Sequence, residues 1–466
     1  MTLLGVTAPT VVGRVPGLQQ LGRALREVGF TAPQLRRVLG AGEGALVNRA
    51  ERPARIRRLA ESTDPVAALA TLFVLGDPYD AQVAELRLGA LAEQLVTYEL
   101  ADEIEGVLRP RVRLVPHDEI LIASDHVDGD LPSDHVAGVH RPSHLLASLT
   151  LRVPVARALD MGTGNGIQAI LLSRHAERVV ATDVNERALQ FAELNAALNG
   201  IDNVEFRTGS LLDPVAGEQF GVIATNPPYV ISPALDLVFR DSGMGGDAIS
   251  EQVVRGLPAV IAEDGYATVL VSWDATGGEP AQRPIGWLEG SDCQAWILHT
   301  GLEAAIESAS RWTADATDRS AEFERWLVNF EARGIELVGY GAVILHRGGP
   351  PWVRSGAIPP APVPATAHLR RMFAAPTRAL LPSDRVRMAD ATRIVVTYGP
   401  DTTGYETRGI ELRVTDGVGF AADLDGDAAA IAQRLGVAQS VADLALGEDG
   451  LAFVDRLLQF GFAELV

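Results

Sequence analysis

A chain of 466 residues is too long for one compact hydrophobic core, so we expect two to four domains. The apolar share of 47% excludes a mostly disordered protein. The formal net charge of −20 argues against a protein that coats nucleic acid, because such binding depends on neutralising phosphates. The sequence shows no bilayer-length apolar run and no signal peptide pattern, and its lone cysteine is Cys293. These features predict a soluble, cytoplasmic protein without a membrane partner.

Basic charge is concentrated near the start of the chain and is carried by arginine alone, since the sequence contains no lysine. Ten arginines lie between Arg14 and Arg58 against three glutamates, a local balance of +7. Two interpretations stay open. The arginines cover ordinary solvated helix faces, or they form an Arg-rich face that contacts RNA, the ribosome or an acidic protein.

Residues 1–130 predict an N-terminal helical domain that ends in a small hairpin. Leucines at 18, 21 and 25 recur at helical spacing, and Thr31 and Asp64 each precede a helix start marked by proline. A further amphipathic helical stretch runs from residue 79 to 100. Alternating segments at 111–116 and 119–123 predict the hairpin, and helices followed by a hairpin resemble a winged-helix module.

Residues 127–150 are rich in Asp, His, Pro and Gly and predict a linker. Three histidines lie there: His135, His140 and His144. Their spacing matches no standard zinc site and no cysteine is near, so we predict loop histidines and no metal site.

Residues 131–347 alternate strand and helix patterns, which predicts an α/β fold with a parallel sheet. A helix at 186–199 ends at Gly200, a typical helix stop, and a helical segment at 303–333 is inserted between the last two strands. Seven strands are predicted, at 156–161, 178–184, 204–208, 221–225, 266–273, 294–300 and 336–346.

A connection rich in Pro and Gly at 347–364 leads to a small C-terminal α/β domain, residues 366–466. Strands are predicted at 393–398 and 411–414, and helices at 427–435 and 451–460. The acidic stretch from Asp423 to Asp427 lacks the ligand spacing and closing Glu of a calcium loop, so we interpret it as a turn and a helix cap.

The pattern Asp160-x-Gly162-Thr163-Gly164-x-Gly166 follows a predicted strand and opens a helix, as a nucleotide-binding glycine loop requires. Asp183 ends the next strand, where a carboxylate can accept hydrogen bonds from a ribose diol. Two cofactors compete: a nicotinamide dinucleotide and S-adenosylmethionine. An acid beside the loop would repel a diphosphate but suits the amino group of a methionine moiety, which favours S-adenosylmethionine.

The second motif is Asn226-Pro227-Pro228-Tyr229, at the carboxyl end of the fourth predicted strand, where open α/β sheets place ligands. The Asn226 side-chain oxygen and the Pro227 carbonyl are two acceptors suited to one NH2 group. Tyr229 offers a flat face for a planar amide or base. Methyl transfer from a sulfonium depends on positioning and charge placement, which this turn could supply.

Together these motifs resemble the class I S-adenosylmethionine-dependent methyltransferases with an Asn-Pro-Pro-Tyr motif, of the HemK/PrmC type or the related "methyltransferase small" type. The resemblance implies a Rossmann-like sheet of seven strands. It also implies that Asp160 to Gly166 contact the methionine part, that Asp183 binds the ribose, and that Asn226, Pro227 and Tyr229 hold the acceptor nitrogen. The glycine-rich stretch from Phe239 to Asp247 resembles the loop that frames the acceptor in glutamine methyltransferases.

The chain departs from this family at two places. An acid that contacts the adenine amino group usually follows the third strand, whereas Ser210 stands here. Contacts with the adenine must then come from the Ser210 hydroxyl or the main chain, and Asp213 is a candidate substitute for the acid. Glutamine methyltransferases also tend to carry a Pro-Arg-x-x-Thr-Glu sequence upstream, and Arg141-Pro142-Ser143-His144 lacks the Thr-Glu pair.

The sequence therefore predicts an N-methyltransferase acting on a planar nitrogen. The favoured acceptor is a glutamine side chain in a translation factor or ribosomal protein. An amino group on an RNA or DNA base, or a small molecule, remains open as the acceptor. An inactive scaffold with a cofactor-like pocket is the alternative outside enzymes.

Overall fold

The computed structural model describes residues 15–40, 51–126, 131–233, 245–314, 316, 318–359, 363–400 and 404–466. The chain forms two compact units. Unit 1 comprises residues 1–140, 157–216 and 234–243, and unit 2 comprises 141–156, 217–233 and 244–466. The predicted domains 1–130, 131–347 and 366–466 stay a prediction. Within the described ranges, every helix is too short or too polar to cross a bilayer.

The first part of unit 1 is a helical layer with two small sheets. Leu21 and Leu25 are fully buried, as the helical spacing predicts, and Asp64 caps its helix by accepting from Val66 N at 2.9 Å. The predicted hairpin is present, while a three-stranded sheet in the order β1-β3-β2 was not predicted. The elements are α1 (Leu18–Glu27), α2 (Ala32–Leu39), α3 (Arg52–Ala60), α4 (Pro65–Leu69), β1 (Tyr79–Asp80), α5 (Ala81–Leu88), α6 (Ala90–Thr97), β2 (Ala101–Ile104), β3 (Val107–Pro110), β4 (Arg113–His117) and β5 (Ile120–Ser124).

The predicted linker at 127–150 is wrong in its second half, because these residues include the helix α7 (Arg141–Leu149). Pro142 lies in the first turn, where a helix tolerates proline. Leu146 and Leu149 are fully buried. Burial of this apolar helix face outweighs the preference of the surrounding residues for turns. Residues 127–130 lie outside the described residues.

The remaining elements of unit 1 alternate strand and helix, as predicted. Asn185 caps α9 by accepting from Arg187 N at 3.0 Å, and the helix stops before Gly200, whose φ is +67°. The elements are β6 (Val155–Met161), α8 (Ile167–Leu172), β7 (Ala176–Asp183), α9 (Glu186–Leu198) and β8 (Val204–Thr208), with strand order β6-β7-β8. Strands β7 and β8 are parallel and place Asp183 opposite Thr208.

The first part of unit 2 holds five strands in the order β13-β11-β12-β10-β9, in which β9 runs parallel to β10. All seven predicted strands are present, and the predicted α/β class is confirmed. The prediction of a parallel sheet is wrong at β12, which runs antiparallel to both β10 and β11. The inserted helical segment forms α12 and α13, while β13, which runs parallel to β11, was not predicted. The elements are β9 (Phe220–Thr225), α10 (Ala248–Gly256), β10 (Ile261–Asp274), α11 (Gln282–Trp287), β11 (Gln294–Ala304), α12 (Ala305–Trp312), α13 (Arg319–Arg333), β12 (Leu337–His346) and β13 (Val353–Ala357).

The last hundred residues of unit 2 form two further small sheets with helices. The acidic stretch from Asp423 is a turn and helix cap, as predicted, since Asp425 Oδ1 accepts from Ala428 N at 2.8 Å. The elements are α14 (Thr366–Ala374), β14 (Arg385–Met388), β15 (Thr392–Pro400), β16 (Tyr405–Val414), β17 (Ala421–Leu424), α15 (Gly426–Arg434), β18 (Gln439–Ser440), α16 (Val441–Leu444), α17 (Glu448–Gln459) and β19 (Ala463–Leu465).

Candidate cofactor and acceptor sites

Asp160 holds the glycine loop between β6 and α8 in shape. The residue is buried, and its Oδ2 accepts hydrogen bonds from Thr163 Oγ1 at 2.6 Å and from Ala169 N at 2.8 Å. Burial raises the pKa of this carboxyl to about 7, and the two hydrogen bonds oppose that rise. Asp160 therefore ties the loop to the first turn of α8. Its predicted contact with the amino group of a methionine moiety stays a prediction.

The three glycines of the loop all adopt positive φ, at +70° for Gly162, +55° for Gly164 and +82° for Gly166. At Gly166 a Cβ would lie 2.9 Å from Ala192 Cα, so only glycine lets α9 pass this closely. At Gly164 a Cβ would meet no heavy atom of the described residues within 4 Å. The backbone of Gly164 thus borders space that the described residues leave open.

Asp183 is fixed beside the glycine loop. Its Oδ2 accepts from Gly164 N at 2.9 Å and its Oδ1 from Asn185 N at 2.9 Å. Burial raises the pKa of this carboxyl, and the backbone hydrogen bonds oppose that rise. Each oxygen keeps a second lone pair, so the carboxylate can still accept from two ribose hydroxyls.

The loop after β8 is tied to the same strand end. Gly209 N donates to the Asp183 carbonyl oxygen at 3.0 Å, which places the loop that carries the exposed Ser210 beside the end of β7. Val184, directly after Asp183, is 58% exposed, and this apolar surface suits the face of an adenine ring. The sequence analysis missed Val184. The available signal in the sequence was an apolar residue directly after Asp183, the residue predicted to bind the ribose.

In unit 2 the turn after β9 presents an unused acceptor. Asn226 Oδ1 is buried and has no hydrogen-bond partner in the part of the chain that the structure describes. A buried acceptor left unsatisfied costs about 1–3 kcal/mol. An N–H group of a bound amide would recover that cost, which is the role predicted for Asn226.

The Pro227 carbonyl oxygen is already in use, because it accepts from Tyr229 N at 2.7 Å. Ser272 Oγ on β10 donates to the Tyr229 carbonyl oxygen, so the turn is fixed at both of its ends. A carbonyl oxygen has two lone pairs, so Pro227 can accept a second N–H. Its role as an acceptor for substrate stays a prediction.

The Tyr229 side chain packs against a hydrophobic cluster that includes Trp326 and Phe330 of the inserted helix α13. Burial raises the pKa of the phenol, the nearby Tyr340 raises it further, and Arg311 opposes the rise. The hydroxyl therefore stays protonated at neutral pH. Tyr229 offers a fixed aromatic surface rather than a base.

Only the end of the predicted acceptor loop is described, since residues 239–244 lie outside the described residues. Asp247 is buried and accepts from Arg283 Nη2 at 2.6 Å and from Asp274 N at 3.0 Å. This carboxylate anchors the end of the loop to β10 and to α11, which carries Arg283.

Comparison with known proteins identifies the class of domain that carries these residues. Residues 137–239 match the family model "Methyltransferase small domain", and residues 27–111 match a domain of unknown function, DUF7059. The resemblance to class I S-adenosylmethionine-dependent methyltransferases of the HemK/PrmC type is confirmed.

Three relatives show how far the similarity extends. A release factor glutamine methyltransferase of Xylella fastidiosa is 35% identical over 130 residues, 25% of this chain and 47% of the relative. One of Deinococcus radiodurans is 43% identical over 118 residues, 24% of this chain and 41% of the relative. A ribosomal protein uL3 glutamine methyltransferase of Bradyrhizobium diazoefficiens is 27% identical over 276 residues, 52% of this chain and 85% of the relative. The chain thus spans less than half the length of both release factor enzymes.

Proposed function

We propose that this protein is an S-adenosylmethionine-dependent N-methyltransferase that modifies a glutamine side chain in a protein of the translation machinery, in the cytoplasm. The observation that carries the proposal is the buried Asn226 Oδ1 in the turn after β9, which has no hydrogen-bond partner among the described residues. The relatives named for release factors and for ribosomal protein uL3 support the class of substrate.

The cofactor would be held by main chain and carboxylate groups of unit 1. Gly164 borders the open space, and Asp183 has lone pairs for the ribose hydroxyls. Val184 would cover one face of the adenine, and the Ser210 hydroxyl would take the place of the usual acid at the base. Bound S-adenosylmethionine supplies an electrophilic methyl group, and transfer forms an N–C bond, breaks the S–C bond and releases the N–H proton to solvent.

The acceptor turn of unit 2 would orient the amide. Asn226 Oδ1 accepts one N–H of the glutamine side chain and the Pro227 carbonyl accepts the other. Holding both N–H bonds turns the nitrogen lone pair toward the methyl group, so positioning supplies most of the catalysis. Tyr229 stacks on the planar amide. The hydrogen bonds from Tyr229 N and Ser272 Oγ keep the turn in this shape before substrate binds.

The Arg-rich face gives more support to a protein substrate than to RNA. Five of its arginines are bound within unit 1, which leaves fewer of them for phosphates: Arg37 to Asp64, Arg52 to Asp77, Arg55 to Glu51, Arg26 to the Glu119 carbonyl and Arg58 to the Val38 carbonyl. Contact of this face with an acidic protein stays a prediction.

The test is transfer of label from methyl-tritiated S-adenosylmethionine to a cell extract, with and without ribonuclease. We expect label in a protein that survives ribonuclease, and N5-methylglutamine in its digest. Asn226→Ala should reduce the rate about 100-fold, the loss typical of one oriented hydrogen-bonding group at a reaction centre. The matched control is Asn203→Ala, which removes hydrogen bonds only to the Ser173, Ala176 and Glu177 carbonyls.

Three results would contradict the proposal. Label that disappears with ribonuclease would make RNA the substrate. Cofactor binding by calorimetry without label in any fraction would indicate a scaffold. Absence of cofactor binding would refute methyl transfer altogether.

A further inference from the structure

Asn195 of α9 and Asn199, which directly follows this helix, join it to the N-terminal hairpin within unit 1. Asn195 Oδ1 accepts from Ala123 N at 2.7 Å, and its Nδ2 donates to Ala123 O at 2.9 Å. Asn199 repeats the arrangement one turn later, with Leu121 N at 3.0 Å and Leu121 O at 2.8 Å. The two side-chain amides thus bind the free edge of β5 as a neighbouring strand would.

Asn195 makes one further contact that Asn199 lacks. Its Nδ2 also donates to the carbonyl oxygen of Asn165, between the second and third glycines of the cofactor loop, at 2.8 Å. Asn195 is fully buried, so water offers no substitute for these bonds. Asn165 is held from its other side as well, because its Nδ2 donates to Ala137 O at 2.8 Å.

The backbone of Asn165, which Asn195 holds, lies in the part of the loop with the greatest backbone freedom. Gly164 and Gly166 flank Asn165, and glycine backbones sample more conformations than those of other residues. A loop that is already ordered loses less conformational entropy when a ligand binds. Fixing the Asn165 carbonyl also fixes the adjoining segment whose Gly164 N–H donates to Asp183.

We propose that Asn195 is a positioning residue for the cofactor loop, and that the N-terminal hairpin is thereby part of the support of the cofactor site. The inference rests on the proposed function, because it takes this loop as the binding site of S-adenosylmethionine. It assigns to the hairpin of β4 and β5 a role in cofactor affinity that is separate from any contact with substrate.

The test compares Asn195→Ala with Asn199→Ala in the full chain. The affinity of each variant for S-adenosylmethionine is measured by calorimetry, at a temperature well below the melting temperatures of both variants. Both variants lose the paired bonds to β5, but only Asn195→Ala releases the glycine loop. We expect Kd to rise about 2- to 10-fold in Asn195→Ala, the effect of one buried hydrogen bond, and to change less than about twofold in Asn199→Ala. Asn195→Ser is the milder variant if Asn195→Ala fails to fold.

Hydrogen exchange provides a readout that general destabilisation would not reproduce. Amides of residues 162–166 should exchange faster in Asn195→Ala. Asn199→Ala, which also loses its bonds to Arg26 and to the Asn195 carbonyl, should accelerate exchange around residues 26 and 119–123 but not at residues 162–166. Equal changes of Kd in the two variants, or unchanged Kd and loop exchange in Asn195→Ala, would overturn the inference. If the unaltered protein binds no S-adenosylmethionine, the proposed function fails. Loop exchange then still decides whether Asn195 holds residues 162–166.

Discussion

Replacing Gly164 or Gly166 by alanine should have different effects: one mainly on cofactor affinity, the other mainly on stability. Both have positive φ, a conformation that costs a non-glycine residue about 1–2 kcal/mol. At Gly166 the added methyl would also lie 2.9 Å from both Cα and Cβ of Ala192, well inside normal carbon contact. At Gly164 the methyl would enter the open space assigned to the cofactor.

The expected magnitudes follow from these contacts. Overpacking a tight interior costs about 1–3 kcal/mol, so Gly166→Ala should destabilise unit 1 by about 2–5 kcal/mol. Gly164→Ala carries only the backbone cost of about 1–2 kcal/mol. If the added methyl of Gly164→Ala clashes with the ligand at the same cost of about 1–3 kcal/mol, the Kd of this variant for S-adenosylmethionine should rise about 5- to 150-fold.

Stability must be measured in unit 1 itself. All six tryptophans lie between Trp273 and Trp352, so intrinsic tryptophan fluorescence reports on unit 2. Hydrogen exchange of α9 peptides gives the stability of unit 1, and calorimetry gives the cofactor affinity. Equal affinity in Gly164→Ala and the unaltered protein would refute the placement of the ligand against Gly164. Equal stability of the two variants would refute the packing argument at Gly166.

Three further predictions concern stability. The Arg187 side chain is only 11% exposed, and Asp125→Ala removes its carboxylate partner. This variant should lower the free energy of unfolding by about 3–5 kcal/mol, measured by urea unfolding followed by circular dichroism. Burial raises the pKa of Asp160 to about 7, so the folded state holds a proton that the unfolded state releases near pH 4. The unfolding free energy should therefore fall as pH rises from about 4 to 7, by at most about 1.4 kcal/mol per pH unit, and Asp160→Asn should flatten that slope; an unchanged slope would contradict this reasoning. Asp425→Ala should weaken α15 by about 1 kcal/mol in hydrogen exchange without changing cofactor affinity, because it removes an N-cap of unit 2.

The strands and the motifs could be predicted because their signals are local. A buried parallel strand appears in the sequence as a continuous apolar run. The glycines at 162, 164 and 166 indicate positive φ directly, because glycine is the residue that adopts this conformation readily. Helix α9 could likewise be bounded from Asn185 and Gly200, a cap and a stop in the sequence.

What could not be predicted depends on partners distant in sequence. Helix α7 lies in a stretch rich in turn-forming residues, and its apolar face is decided by what Leu146 and Leu149 pack against. Strand β13 follows two prolines and exists because β11 offers a free edge. The bonds of Asn195 reach a residue 72 positions away, and sequence spacing gives no signal of such a contact. Asn226 could be predicted as an acceptor, but only the three-dimensional structure shows that its Oδ1 is buried and has no hydrogen-bond partner among the described residues.

The amide pairs that hold the hairpin also bear on the chemical ageing of the protein. Asn199 precedes Gly200, and in Asn–Gly sequences the glycine nitrogen readily attacks the side-chain carbonyl to give a succinimide. Here Gly200 N donates to Ala197 O at 3.1 Å, and both side-chain amide atoms of Asn199 are engaged with Leu121. The attack requires both sets of bonds to break together. Deamidation at Asn199 is therefore slow while the hairpin is docked, and an acidic species formed there marks molecules in which the hairpin has opened.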